Sequence, residues 1–148
     1  MKHERAKSPL TLHQAIEAKS VAAVKKRIAD GAPLDELDSN GMTPLMAACS
    51  RGGKLGAAAA LALIEAGANV HHVREADGMT ALKLAAKACP PEVISALLDK
   101  GVETDGPPGT DQTALMIAAR ENNIGALEVL VDRGADVDRP CKVPGADG

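Results

Sequence analysis

Residues 41–48 read GMTPLMAA, and residues 78–86 repeat the same motif as GMTALKLAA. Residues 112–119 carry a third copy, QTALMIAA, and residues 10–15 carry a weaker fourth, LTLHQA. The copies recur at intervals of 33, 37 and 33 residues, counted from their first positions, Leu10, Thr43, Thr80 and Thr113. A motif that returns at this spacing is typical of a solenoid, in which one small structural unit stacks on the next.

A second marker, a glycine followed by a small residue, lies downstream of each motif at Gly31, Gly67, Gly101 and Gly134. The marker follows the motif by 21 residues in three units and by 24 residues in the second unit. We therefore expect the three extra residues to lie between the two helices of the second unit, around residues 51–56.

Each unit is predicted to form a helix, a short loop, a second helix and an extended turn. The motif threonine can cap the first helix, and leucine and alanine follow it at helical spacing. The marker glycine suits a left-handed cap at the end of the second helix, and twelve or thirteen turn-rich residues then leave room for a projecting loop. The second helices are predicted near Val21–Asp30, Leu55–Ala66, Pro91–Lys100 and Asn123–Arg133.

This pattern resembles the ankyrin repeat, a 33-residue unit that carries the motif Thr-Pro-Leu-His-x-Ala. The resemblance extends from about Leu10 to Asp138. It implies an all-α solenoid of about four helix-loop-helix units with projecting hairpin-like loops, and Leu82 and Leu115 would then be core residues. The units are predicted at about residues 9–38, 39–75, 76–108 and 109–138, with a C-terminal tail at 139–148.

The composition excludes several classes of function. The net charge is −3, and the chain has no Phe, Tyr or Trp. A general nucleic-acid binder would normally show a basic excess, and base-stacking platforms need aromatic rings. The most apolar window, residues 57–64, is too short to span a bilayer. Residues 1–8 carry no apolar stretch, and the three cysteines form no Cys-x-x-Cys pair, so we expect a protein of the cytoplasm.

Catalysis, metal binding and cofactor binding are not expected. The resemblance implies that His13 ties neighbouring turns together by hydrogen bonds. His71 and His72 are adjacent, so in an extended loop they point apart, and we expect them to be solvated or to contact a partner. Cys49 is interpreted as a small core residue, whereas Cys89 and Cys141 are predicted to be exposed thiols without a histidine base. An enzyme or metal protein built on these histidines and thiols is an open alternative.

The resemblance implies that a partner protein binds at the loop tips and on the concave face made by the first helices. Arg51, Lys87 and Arg120 hold nearly the same position in successive units, which predicts a row of positive charge suited to an acidic partner surface. Met42 and Met79 would add adaptable apolar contact. Solubility alone is the competing interpretation of the charged row. The candidate partner-binding residues are Asn40, Met42, Arg51, Arg74, Asp77, Met79, Lys87, Gln112, Arg120 and Glu121.

The sequence therefore favours a non-catalytic protein-protein interaction module, expected to be a monomer. The specific hypothesis is an inhibitor or immunity-like protein that binds and neutralises one partner, because occlusion needs only one good surface. The alternative is a scaffold or adaptor that assembles several proteins.

Overall fold

The computed structural model describes residues 11–105 and 112–136. Eight helices lie within those residues, and consecutive helices form four pairs, which we number as repeats 1 to 4. The predictions for Leu10, Cys141 and the tail at 139–148 fall outside the described residues. The helices are α1 Leu12–Glu17, α2 Val21–Ala29, α3 Pro44–Arg51, α4 Gly53–Ala66, α5 Ala81–Ala88, α6 Pro91–Asp99, α7 Ala114–Arg120 and α8 Ile124–Asp132.

The four helix pairs stack in the order of the chain. The first helices contact one another in sequence, α1 with α3, α3 with α5 and α5 with α7, and the second helices form a parallel series from α2 to α8. The apolar core lies between these two rows of helices. The predicted all-α solenoid of four helix-loop-helix units is therefore confirmed. None of the described helices is long and apolar enough to cross a membrane.

A threonine begins the first helix of every repeat. The hydroxyl groups of Thr43 and Thr80 each accept a hydrogen bond of 3.2 Å from the backbone N–H three residues on, and Thr113 does so at 3.3 Å. In repeat 1 the cap is Thr11, one residue after the first motif position, and the Gln14 side chain completes a capping box by accepting the Thr11 N–H. The first helix of that repeat consequently begins one residue later than the motif predicts.

The three extra residues of the second repeat extend a helix, so the predicted longer link is wrong. A single residue, Gly52, joins α3 to α4, and α4 has 14 residues whereas each of the other second helices has 9. Gly52 has a φ of 63° and a ψ of −163°, a conformation that essentially only glycine adopts. A Cβ atom there would meet the Ala88 carbonyl oxygen at 2.6 Å. Tight packing against the next repeat therefore fixes this one-residue link.

Leucine, isoleucine and alanine fill the core without any aromatic ring. Leu45, Leu63, Leu97 and Leu130 are fully buried. The prediction for Leu82 is confirmed, since 3% of this residue is exposed, whereas Leu115 is only half-buried and packs at the edge of the core. The abundant alanines allow the two rows of helices to approach closely.

Replacing Leu82 by alanine should cost about 2–5 kcal/mol of unfolding free energy, because it leaves a cavity in the core. Leu115→Ala should cost clearly less, because the side chain is already partly in water. Urea unfolding, monitored by the circular dichroism signal of the helices, measures both losses of unfolding free energy. A near-zero loss for Leu82→Ala would contradict the register of repeat 3.

Gly52→Ala should destabilise the protein more than Gly53→Ala. Both glycines have positive φ angles, but only at Gly52 would the new Cβ collide with Ala88. The strained conformation alone costs about 1–3 kcal/mol, and the collision adds to that cost only at Gly52. The same urea experiment compares the two variants, and equal losses would contradict the close approach of repeat 3 to this link.

Candidate partner-binding surface

The two turns that the structure describes in full, before α3 and before α5, are hairpin-like, as the sequence predicts. The Asp38 N–H donates to the Met42 carbonyl at 3.0 Å, and the Arg74 N–H donates to the Met79 carbonyl at 2.9 Å. Within the first turn, the Asp38 carboxylate accepts the N–H groups of Asn40 and Met42 at 2.8 and 3.0 Å. Side chain to backbone bonds of this kind hold the loop in one conformation.

Two hydrogen bonds join the first turn to the second, and one joins the first turn to α1. His13, on α1, donates from Nε2 to the Glu36 carbonyl at 2.7 Å, so it ties α1 to the first turn, whereas the resemblance implied that it ties one turn to the next. The Asp35 carboxylate accepts the Asn69 N–H at 2.8 Å, and His72 Nε2 lies 3.3 Å from the Gly41 carbonyl oxygen. His72 is therefore half-buried between two turns, so the expected exposed histidine pair is wrong for this residue.

Arg74 and Asp77, two of the candidate binding residues, pair with each other inside one turn. Arg74 Nε donates to Asp77 Oδ1 at 2.9 Å, and its Nη2 donates to the second carboxylate oxygen. This hydrogen-bonded pair lowers the pKa of Asp77 below that of an ordinary aspartate. The Arg74 guanidinium is consequently engaged by its own loop and presents less free charge to a partner.

The two candidate methionines contribute to the protein's own packing. Met42 and Met79 are half-buried and lie against the core, so each presents only part of its side chain. Asn40, at the tip of the first turn, and Gln112, just before α7, are exposed. The turns therefore present polar tips above partly covered methionines.

The row of cations on the first helices includes two residues in register and one out of register. Lys87 and Arg120 each lie seven residues after the capping threonine, whereas Arg51 lies eight residues after it. One residue turns a helix by about 100°, so Arg51 points in another direction. All three residues are exposed, and Arg120 Nε lies 3.8 Å from Glu121 Oε1. The predicted single row of three is therefore wrong.

Arg51 lies instead in a groove of about 360 Å³ between repeats 1 and 2, which we call the edge groove. The edge groove runs along the side of the solenoid where short links join the paired helices. Apolar residues line it together with three cations, Lys19, Arg51 and Lys54. Sequence analysis missed this site because it expected a loop at residues 51–56. The predicted second helix, Leu55–Ala66, already included the alanines at residues 57–60, and the paired glycines at 52–53 gave no signal that the helix begins earlier.

Cys49 and Cys89 are both buried and come together from neighbouring repeats. The Cys89 thiol donates to the Cys49 carbonyl at 3.4 Å, so the predicted exposed thiol at Cys89 is wrong. Cys89 follows the last residue of α5, and its side chain turns inward against α3. The two thiols also interact with each other: hydrogen bonding between the side chains, together with burial, raises the pKa of Cys49 well above its usual value, and the hydrogen bonding lowers the pKa of Cys89.

No three His, Cys, Asp or Glu side chains among residues 11–105 and 112–136 lie close enough together to hold a metal ion. His71 is exposed, whereas His72 is half-buried. The His71 N–H binds the Asn69 side chain, whereas the His72 ring reaches the neighbouring turn.

A family model of ankyrin repeats, built from three copies, matches residues 12–105 and again residues 54–141. The chain belongs to the ankyrin repeat family. No curated protein matches the chain. Because ankyrin repeats bind other proteins and are generally non-catalytic, this ankyrin repeat protein is a protein-protein interaction module.

In the folded protein, Cys89 should react with iodoacetamide at pH 8 before Cys49 does, because its lower pKa gives more thiolate. Peptide mapping by mass spectrometry follows each cysteine separately. Alkylation in guanidinium chloride is the control, since unfolding should make the two rates similar. Faster alkylation of Cys49 than of Cys89 in the folded protein would contradict the expected order of the two pKa values.

Proposed function

We propose that this ankyrin repeat protein binds one partner protein and inhibits or neutralises it, in the manner of an inhibitor or immunity protein. The binding surface comprises the turn tips and the exposed positions of the first helices. The observation that carries the proposal is the hydrogen bonding that fixes the first turn, to α1 through His13 and to the second turn through Asp35 and His72. A surface fixed before binding loses little conformational entropy when it covers a partner's site.

Charge supports a partner with an acidic surface. The Lys87 side chain makes no hydrogen bond or ion pair with the described residues, and Arg120 has only a long, exposed pair with Glu121. Exposed ion pairs of that kind contribute little, so Arg120 can exchange Glu121 for a carboxylate of the partner. Lys87 and Arg120 share one register position in consecutive repeats, which places two cations on the same face.

A scaffold or adaptor is the second candidate, and one observation favours it. The edge groove lies on the side where the paired helices are linked, away from the turn tips, so two partners have separate places to bind. In either case we propose that the protein acts as a monomer in the cytoplasm.

Affinity capture from native lysate tests the proposal, using the wild type beside a Lys87→Glu/Arg120→Glu double variant. Lys25→Glu/Lys26→Glu is the matched control, because these exposed lysines of α2 give the same change in net charge. We expect one stoichiometric partner whose recovery falls at least about tenfold in the double variant and is unchanged in the control. If the partner has an assayable activity, adding the wild-type protein should reduce that activity.

A partner fully retained by the double variant would contradict binding at the first helices. Several substoichiometric partners would favour the scaffold over the inhibitor. Arg51 is left out of the double variant because it lines the edge groove, so the two surfaces can be tested separately.

A further inference from the structure

The edge groove arises from the mismatch between repeats 1 and 2. In repeat 1, three residues link α1 to α2, whereas Gly52 alone links α3 to the longer α4. The first turn of α4, at residues 53–56, therefore has no counterpart in α2 and forms one wall. Gly56 keeps this wall close to α3, because a Cβ there would lie 2.6 Å from the Ala48 carbonyl oxygen.

The floor of the edge groove is apolar. Ile16 and Val24 are buried at its base, Val21 is half-buried, and Leu55 stands at the wall with 50% of its surface exposed. Leu55 is among the most exposed large apolar residues of the described chain. An apolar cavity beside an exposed leucine suits an aliphatic side chain of a ligand.

The rim of the edge groove is positive. Lys19, Arg51 and Lys54 line it, and no aspartate or glutamate does. Their side chains make no hydrogen bond or ion pair with the residues that the structure describes, whereas Arg27 and Arg74 pair with Asp30 and Asp77. Three cations without internal partners beside an apolar floor favour a ligand that carries carboxylates.

Lys19 adds a second indication, because its backbone is in the left-handed region with a φ of 58°. The corresponding residue of repeat 4 is Asn122, which has a φ of 57°. Asparagine tolerates this conformation well, but lysine does not. The backbone thus holds Lys19 at the groove rim in a conformation that is unfavourable for lysine.

The chain's own N-terminal segment does not match this groove in charge. Residues 1–10 include Lys2, Arg5 and Lys7 against a single glutamate, so the segment would be repelled by the positive rim. A partner segment rich in Asp and Glu has the complementary charge.

We propose that the edge groove binds an acidic peptide segment of a partner protein. An aliphatic side chain of that segment lies against Ile16 and Leu55, and neighbouring carboxylates pair with Lys19, Arg51 and Lys54. This proposal rests on the protein-binding function proposed above. It adds a second binding surface, the edge groove, and defines the chemistry of the peptide that binds there.

Binding of a fluorescein-labelled pentapeptide, one leucine flanked by two glutamates on each side, tests the proposal by fluorescence anisotropy. The matched peptides replace all the glutamates by glutamine, or the leucine by alanine. We expect the glutamine peptide to bind at least about tenfold more weakly, and the alanine peptide to bind more weakly as well. In methyl NMR spectra, the acidic peptide should shift the signals of Ile16, Val21 and Leu55.

Lys54→Glu should weaken binding of the acidic peptide at least about tenfold. Lys25→Glu changes the net charge equally and is the control, which should leave peptide binding unchanged. Lys54 is exposed in the first turn of α4, where a glutamate is favourable for the helix, so this variant should fold. Circular dichroism confirms the folding of both variants before binding is measured.

Absence of methyl shifts in the groove with about 1 mM peptide would overturn the proposal. The proposal would also be overturned if the methyl shifts were confined to the turn tips, or if Lys25→Glu weakened peptide binding as much as Lys54→Glu does. Inorganic phosphate that displaces the peptide at equal concentration would indicate a phosphate site instead. None of these results would change whether capture of the partner depends on Lys87 and Arg120. A failure of the proposal for the edge groove is therefore distinguishable from a failure of the proposed function.

Discussion

Stacking of neighbouring repeats is the constraint on which the whole structure depends, because one helix pair cannot bury its apolar face alone. The fully buried Leu45, Leu63, Leu97 and Leu130 lie between two rows of helices, so each contributes to a core that continues from repeat to repeat. Without aromatic rings, this core depends on the close approach that alanine permits. The stacked helices in turn place the first two turns beside each other, where the His72 hydrogen bond can form, and His13 of α1 binds the first turn.

The second repeat departs from the others, and the departure follows from the same constraint. The extra residues extend α4 by one turn, of which Gly53, Lys54 and Leu55 are exposed and Gly56 is buried against α3. Gly52 permits this because it adopts a conformation closed to other residues and approaches Ala88 without a side chain. The lengthened helix leaves the edge groove open beside repeat 1, so one local change of length creates a surface that regular repeats would lack.

Sequence patterns predicted the features that local chemistry decides. The threonine caps and the marker glycines were correctly placed, since Gly31, Gly67, Gly101 and Gly134 all have φ between 82° and 96°. The errors concern features that tertiary packing decides: Cys89 turns inward to the neighbouring repeat, and α4 begins at Gly53 although paired glycines usually mark a loop. The partner-binding residues could be selected only by position. Which charges are free depends on pairs such as Arg74–Asp77, and these become visible only in the folded protein.

Native-state amide hydrogen exchange of the first turns of α4 tests most directly whether the second repeat folds as an extended helix. The Gly56 N–H donates to the Gly52 carbonyl at 3.1 Å, and the amides of Ala57 and Ala58 follow inside the helix. We expect these three amides to exchange on the slow timescale of Leu97 in α6. Exchange as fast as that of the exposed turn at Asn40 would mean that residues 53–56 form a loop, and would contradict both the extended helix and the edge groove.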